Sequence, residues 1–76
     1  MVHAYVMVAT ESGKSPAVLS TVSEFENVTE SHIVAGEWDL VVEVDADRIY
    51  EVLKLVSSNV GTVEGVEATR TYIALE

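Results

Sequence analysis

The segment Gly36-Glu37-Trp38-Asp39 sets a small residue, two carboxylates and an indole side by side, just ahead of the apolar run Leu40-Val41-Val42. These residue types in this order can handle a zwitterion. Backbone amides around Gly36 can approach a carboxylate closely, because glycine has no side chain in the way. Asp39 can accept a charge-assisted hydrogen bond from an ammonium group. Thr69 and Thr71 lie two residues apart, so on a strand they share a face, and their hydroxyls can donate or accept. Gly36, Glu37, Trp38, Asp39, Thr69 and Thr71 are therefore the candidate ligand contacts. Each also has a purely structural reading. Gly36 can simply make a turn, Asp39 can brace loop amides, Trp38 can pack at an interface, and threonines are good strand formers.

Catalytic chemistry has less to stand on. The chain contains no nucleophile elbow, no phosphate-binding glycine loop and no paired histidine–carboxylate motif. His3 and His32 are far apart in sequence and lack a recognisable ligand spacing, although a sheet could bring them together. They read as surface or interface histidines. Tyr5, Tyr50 and Tyr72 read as packing residues. The absence of cysteine excludes disulfides and thiolate metal sites. No catalytic residue, metal site or cofactor is assigned. Asn27-Val28-Thr29 matches a glycosylation acceptor, and Gly61 and Gly65 match a membrane-helix pairing motif, but neither sits in a setting that gives the match meaning.

Six elements would have to position these residues. Val2 to Ala9 is rich in β-branched and aromatic residues and predicts a strand, with Val2, Ala4, Val6 and Val8 on one side and Tyr5 and Met7 on the other. Ser15-Pro16 predicts a helix start, serine as N-cap and proline in the first turn. Val18, Val22 and Phe25 then follow at helical spacing, with Leu19 at the margin and an end near Phe25 to Asn27. Val28 to Ala35 predicts a second, more polar strand near an edge. A tight turn at Gly36-Glu37 joins it to a third strand, Trp38 to Val44. Asp45 is the expected cap of a second helix carrying Ile49, Val52, Leu53 and Val56 on one stripe. Residues 57–65 predict a loop and Val66 to Leu75 a fourth strand.

The order β-α-β-β-α-β is that of an α+β, ferredoxin-like domain, a four-stranded antiparallel sheet with two helices on one face. One such domain accounts for residues 1–76, with no DNA-binding unit expected in it. Strands one and three carry apolar residues on both sides, so the face away from the helices needs a cover, and a second copy of the chain is the simplest one. A chain of 76 residues, 49% of them hydrophobic, has a small core, and association is a common remedy. The net charge of −9 argues against direct nucleic-acid contact and against an anionic membrane surface. An acidic chain with so few basic residues also fits a salty cytoplasm. No targeting segment is visible, so the expected location is cytoplasmic.

The Gly36-Glu37-Trp38-Asp39 hairpin resembles the effector-binding domain of the leucine-responsive/asparagine regulator (Lrp/AsnC) family, whose hairpin carries a glycine–x–aromatic–aspartate signature. Gly13-Lys14 at the entry to helix one, and Gly65-Val66 followed by Thr69 and Thr71, agree in order, so the resemblance covers essentially the whole chain. It implies a stand-alone, non-enzymatic sensor of an amino acid or similar metabolite. Such domains are similar in dimerising through the sheet as an α/β barrel and then forming rings of dimers, with ligand between dimers near the hairpin that joins strands two and three. A full-length regulator of the same family is the implied protein partner. Trp38 stands where tyrosine or phenylalanine is common. The alternatives are a small dimeric α/β-barrel enzyme, such as an isomerase or cofactor-free monooxygenase, and an interaction scaffold without a small ligand.

Overall fold

The computed structural model describes residues 1–76. The chain runs β1 (Val2–Thr10), α1 (Ser15–Val22), β2 (Val28–Ile33), β3 (Leu40–Ala46), α2 (Ile49–Ser58), a single 3-10 turn (Val60–Thr62) and β4 (Val66–Ile73). All strand pairs are antiparallel and the sheet order is β2-β3-β1-β4. This is the expected ferredoxin-like βαββαβ arrangement.

Alternation along the central strands decides which side chains are buried. Ala4, Val6 and Val8 of β1 and Leu40, Val42 and Val44 of β3 are fully buried beneath the helices, together with Val18 and Val22 of α1 and Val52 of α2. These rows match because Val6 lies opposite Val42, and Val8 opposite Leu40. The intervening residues of both strands face the other way, onto what we call the outer face.

The two helix starts differ from the sequence expectation. Lys14, not Ser15, holds the N-cap position of α1. The Ser15 hydroxyl pairs with Thr10 Oγ1 at 2.6 Å instead, tying the helix entry to the end of β1. Asp45 does not cap α2, because β3 continues through Ala46, where it pairs with Val2. The N-cap of α2 is Arg48, and Glu51 in the first turn reaches back to accept from the amide of Asp47, the residue before the cap, at 3.0 Å. The buried stripe of α2 also shifts: Val52 and Leu55 are buried, while Ile49 and Leu53 remain half exposed. Helix α1 stops at Val22, and a loop through Asn27 in left-handed conformation (φ 79°) leads into β2. The strand ends shift as well. β2 stops at Ile33 and β3 starts at Leu40, so residues 34–39 form a loop rather than a two-residue turn, and β4 ends at Ile73.

Gly65 is held by its conformation. Its φ is +99°, and a Cβ there would sit 3.0 Å from Lys14 Cβ and 3.1 Å from Val18 Cγ2. Gly36 has open space around it and no left-handed φ. Gly65→Ala should therefore destabilise the fold by about 1–3 kcal/mol, whereas Gly36→Ala should stay within about 0.5 kcal/mol of the parent. Urea unfolding of the two variants beside the parent checks the contrast.

Candidate functional site

The loop between β2 and β3 is pinned at both ends. The Val34 amide donates to the Asp39 carbonyl at 2.9 Å, and the Asp39 amide donates to the Val8 carbonyl at 2.9 Å. Asp39 Oδ2 accepts from the Thr10 amide at 2.8 Å, so the carboxylate braces the end of β1. Between these pins, the amides of Ala35, Gly36, Glu37 and Trp38 donate to no other group of the chain. Glu37 and Gly36 are exposed, while Trp38 and Asp39 are half-buried. The result is a short, anchored arch with free donors along its crest.

Thr69 and Thr71 lie elsewhere on the fold. They pair with Val8 and Val6, so they belong to the helix side of β4, at the edge opposite β2. Thr69 shares a row with Val8 and Leu40, which puts two strand spacings, about 10 Å, between it and the start of β3. A single chain thus brings Gly36, Glu37, Trp38 and Asp39 together and holds the two threonines apart from them. The chain's cavity, an open cleft of about 270 Å³ lined in part by Phe25, Asn27, Glu51 and Lys54, touches none of the six.

The outer face is less apolar than the strand pattern suggests. Tyr5, Met7, Val41 and Tyr72 form its middle, but His3, Glu43, Asp45, Glu30 and His32 share it. His3 lies opposite Asp45 and pairs with it through Nδ1, and its Nε2 lies 3.1 Å from Glu43 Oε1. The Tyr5 ring meets the His3 ring edge-on, with centroids 5.0 Å apart. The hydrogen bond to Asp45 holds the His3 imidazolium above its ordinary range, Glu43 acts in the same direction, and partial desolvation opposes both. Sequence reasoning did not connect these groups, because they come from three strands whose register is set only by pairing. The Glu30-x-His32 spacing was the one available signal, since it places both on a common strand face.

The model of the Lrp/AsnC ligand binding domain matches residues 3–76. The chain belongs to that family. The HTH-type transcriptional regulator FL11 of Pyrococcus furiosus is 29% identical over 73 residues, covering 96% of this chain and 48% of that protein. A further HTH-type transcriptional regulator of Pyrococcus furiosus is 37% identical over 57 residues, 75% of this chain and 38% of its own length. The chain therefore spans about half the length, or less, of the curated relatives it matches. The crystal structure of TTHA0845 from Thermus thermophilus superposes with a TM-score of 0.95 at 29% identity, covering 100% of this chain and 95% of that one. E. coli AsnC superposes with a TM-score of 0.92 at 20% identity, over 99% of this chain and 51% of AsnC, a likeness of fold. No helix is long and apolar enough to cross a membrane.

The His3 cluster generates a pH dependence. A histidine whose folded pKa is raised stabilises the fold below its unfolded value, about 6.5, and that contribution is lost as pH rises through the folded pKa. Thermal melts across pH 5.5 to 9 should show the parent losing an increment of stability on the alkaline side that His3→Gln does not lose. Parallel profiles for the two proteins would contradict this account.

Proposed function

We propose that the chain is a non-enzymatic, cytoplasmic sensing module that assembles through its outer face and binds an amino acid at the 34–39 arch. The observation that carries this reading is the arch itself, fixed at Val34, Asp39 and Thr10 with four backbone amides left free between the pins. Free amides on an anchored loop suit a carboxylate, and Asp39 Oδ1 remains available for an ammonium while Oδ2 braces Thr10. The ligand-binding-domain family to which the chain belongs supports a sensing role. A structural neighbour, the transcriptional regulator NMB0573 of Neisseria meningitidis, was crystallised as its L-Met complex. Thr69 and Thr71, distant within one chain, would join the site only from another copy, which is consistent with a pocket between dimers. A full-length regulator of the same family is the partner to which such a module would pass its state.

Assembly is the first test. Tyr5 and Tyr72 are 40% and 53% exposed at the middle of the outer face and lie directly opposite one another. Light scattering should report at least a dimer at micromolar concentration, and Tyr5→Lys should shift the protein toward an 8.2 kDa monomer. A parent that is monomeric throughout that range contradicts the assembly.

Ligand binding is the second. Calorimetry across the common amino acids should find at least one that binds below millimolar concentration and raises the melting temperature. A charge-assisted bond contributes about 1.5–3 kcal/mol, so Asp39→Asn should weaken that binding roughly ten- to a hundredfold. The variant retains an acceptor for the Thr10 amide, so its ligand-free melt should stay near the parent's. If no amino acid binds the assembled protein, the scaffold reading replaces the sensor.

A further inference from the structure

Glu30, His32 and Glu43 meet on the outer face, with one ligand atom from each lying within 4.8 Å of the other two. We propose that these three side chains form a binding site for a first-row divalent transition metal of the Zn²⁺ type, supplied by one imidazole nitrogen and two carboxylates with a remaining position open to solvent.

A backbone irregularity creates the site. Strict alternation from Val28, which lies opposite the buried Val44, would turn Glu30 and His32 toward the helices. A bulge between Val28 and Glu30 sets one extra residue, Thr29, into β2, so that Glu30 lies opposite Glu43 and His32 opposite Val41. Both side chains thereby move to the outer face, and Ser31 moves to the inner one, where its hydroxyl meets Oγ of Ser23, the C-cap of α1, at 2.5 Å. Bulges commonly re-aim side chains in this way. The Thr29 hydroxyl holds the irregularity by donating to the Glu43 carbonyl at 3.3 Å.

The charge arrangement gives the second argument. Glu30 and Glu43 are directly opposed on neighbouring strands, a like-charge pairing that is unfavourable on its own. No lysine or arginine makes an ion pair with either, and the ion pairs in the chain all involve histidine. The row of Glu30 and Glu43 continues through Tyr5 to Tyr72 and holds no basic residue, and Arg70 lies in the next row, beyond β1 and opposite Met7. A divalent cation between the two carboxylates would remove the repulsion, and a chain of net charge −9 favours cation approach.

The geometry needs only a small closure. A tetrahedral ion with bonds of about 2.0–2.1 Å holds its ligand atoms roughly 3.4 Å apart. His32 Nε2 and Glu30 Oε1 are already 3.0 Å apart. Glu43 then has to swing inward, and its Oε1 is steadied from the far side by His3, which is in turn held by Asp45. Such outer partners orient metal ligands and tune their affinity. Imidazole together with carboxylate favours Zn²⁺ and its neighbours over Mg²⁺ or Ca²⁺, which prefer all-oxygen sets. Because β2 is an edge strand, the site opens at the rim of the sheet and is complete within one chain. It therefore stands independently of the amino-acid reading, and it shares the outer face with the proposed assembly, on the β2–β3 side of that face.

The test is a Zn²⁺ titration of the chelator-stripped full chain by calorimetry, followed by the histidine resonances in NMR. The expected result is micromolar binding of one ion per chain, a higher melting temperature, and a shift or broadening of the His32 ring signals. His32→Gln and Glu43→Gln should each weaken binding about tenfold or more, while Glu64→Gln, remote in the loop before β4, should leave it unchanged. Mg²⁺ should bind far more weakly than Zn²⁺. Circular dichroism confirms that the variants fold; should either fail to, the His32 signals of the parent chain decide the matter. An unmoved His32 resonance at saturating Zn²⁺ overturns the proposal. So does an affinity that His32→Gln does not change, which would mean diffuse binding to surface carboxylates.

Discussion

Burial of Ala4, Val6 and Val8 beneath the two helices orients nearly everything else in the sheet. β1 is one of the two central strands and pairs with the other, β3, so once its small apolar row faces the helices, Leu40, Val42 and Val44 must face them too. The alternation then forces His3, Tyr5 and Met7 outward beside Val41, Glu43 and Asp45. A one-residue slip would bury an imidazole and two carboxylates and expose the valines, so the register is strongly specified. Both the polar cluster and the aromatic centre of the outer face follow from this inner constraint.

Asp39 couples the same core to the loop above it. Its amide reaches Val8, the last fully buried residue of β1, and its carboxylate reaches the Thr10 amide. Thr10 in turn meets Ser15 at the start of α1. The glycine–x–aromatic–aspartate segment is thus part of the framework as well as a candidate contact. A ligand that drew on Asp39 would be felt at the end of β1 and at the entry to α1, a short physical route from a binding event to the rest of the domain.

The outer face must reconcile two demands. Tyr5, Met7, Val41 and Tyr72 favour a covering surface, whereas Glu30, His32, Glu43, Asp45 and His3 favour solvent, a proton or a cation. Burying ionised groups in an interface is unfavourable unless they are paired, and here each carboxylate has a histidine within reach. The charged groups lie toward β2 and one end of β1, with Glu43 opposite Tyr5 and His3 against its ring, so a covered centre at Tyr5 and Tyr72 would border directly on the polar cluster.

The sequence by itself determined the element order, the inner core and the family resemblance, because each depends on local periodicity: Val18 and Val22 at helical spacing, Ala4, Val6 and Val8 at strand spacing, and the short run from Gly36 to Asp39. It also placed Gly36, Glu37, Trp38 and Asp39 together, since neighbours in a loop stay neighbours. Tertiary structure decided the rest. Asp45 looked like a helix cap until pairing with β1 carried β3 two residues further and set it opposite His3. Thr69 and Thr71 shared a face as expected, but only the strand order revealed that this face lies at the far edge from β2. Glu30 and His32 could be assigned to the outer face only once the bulge at Thr29 was known, because a single inserted residue inverts every side chain that follows and leaves no mark in the alternation itself.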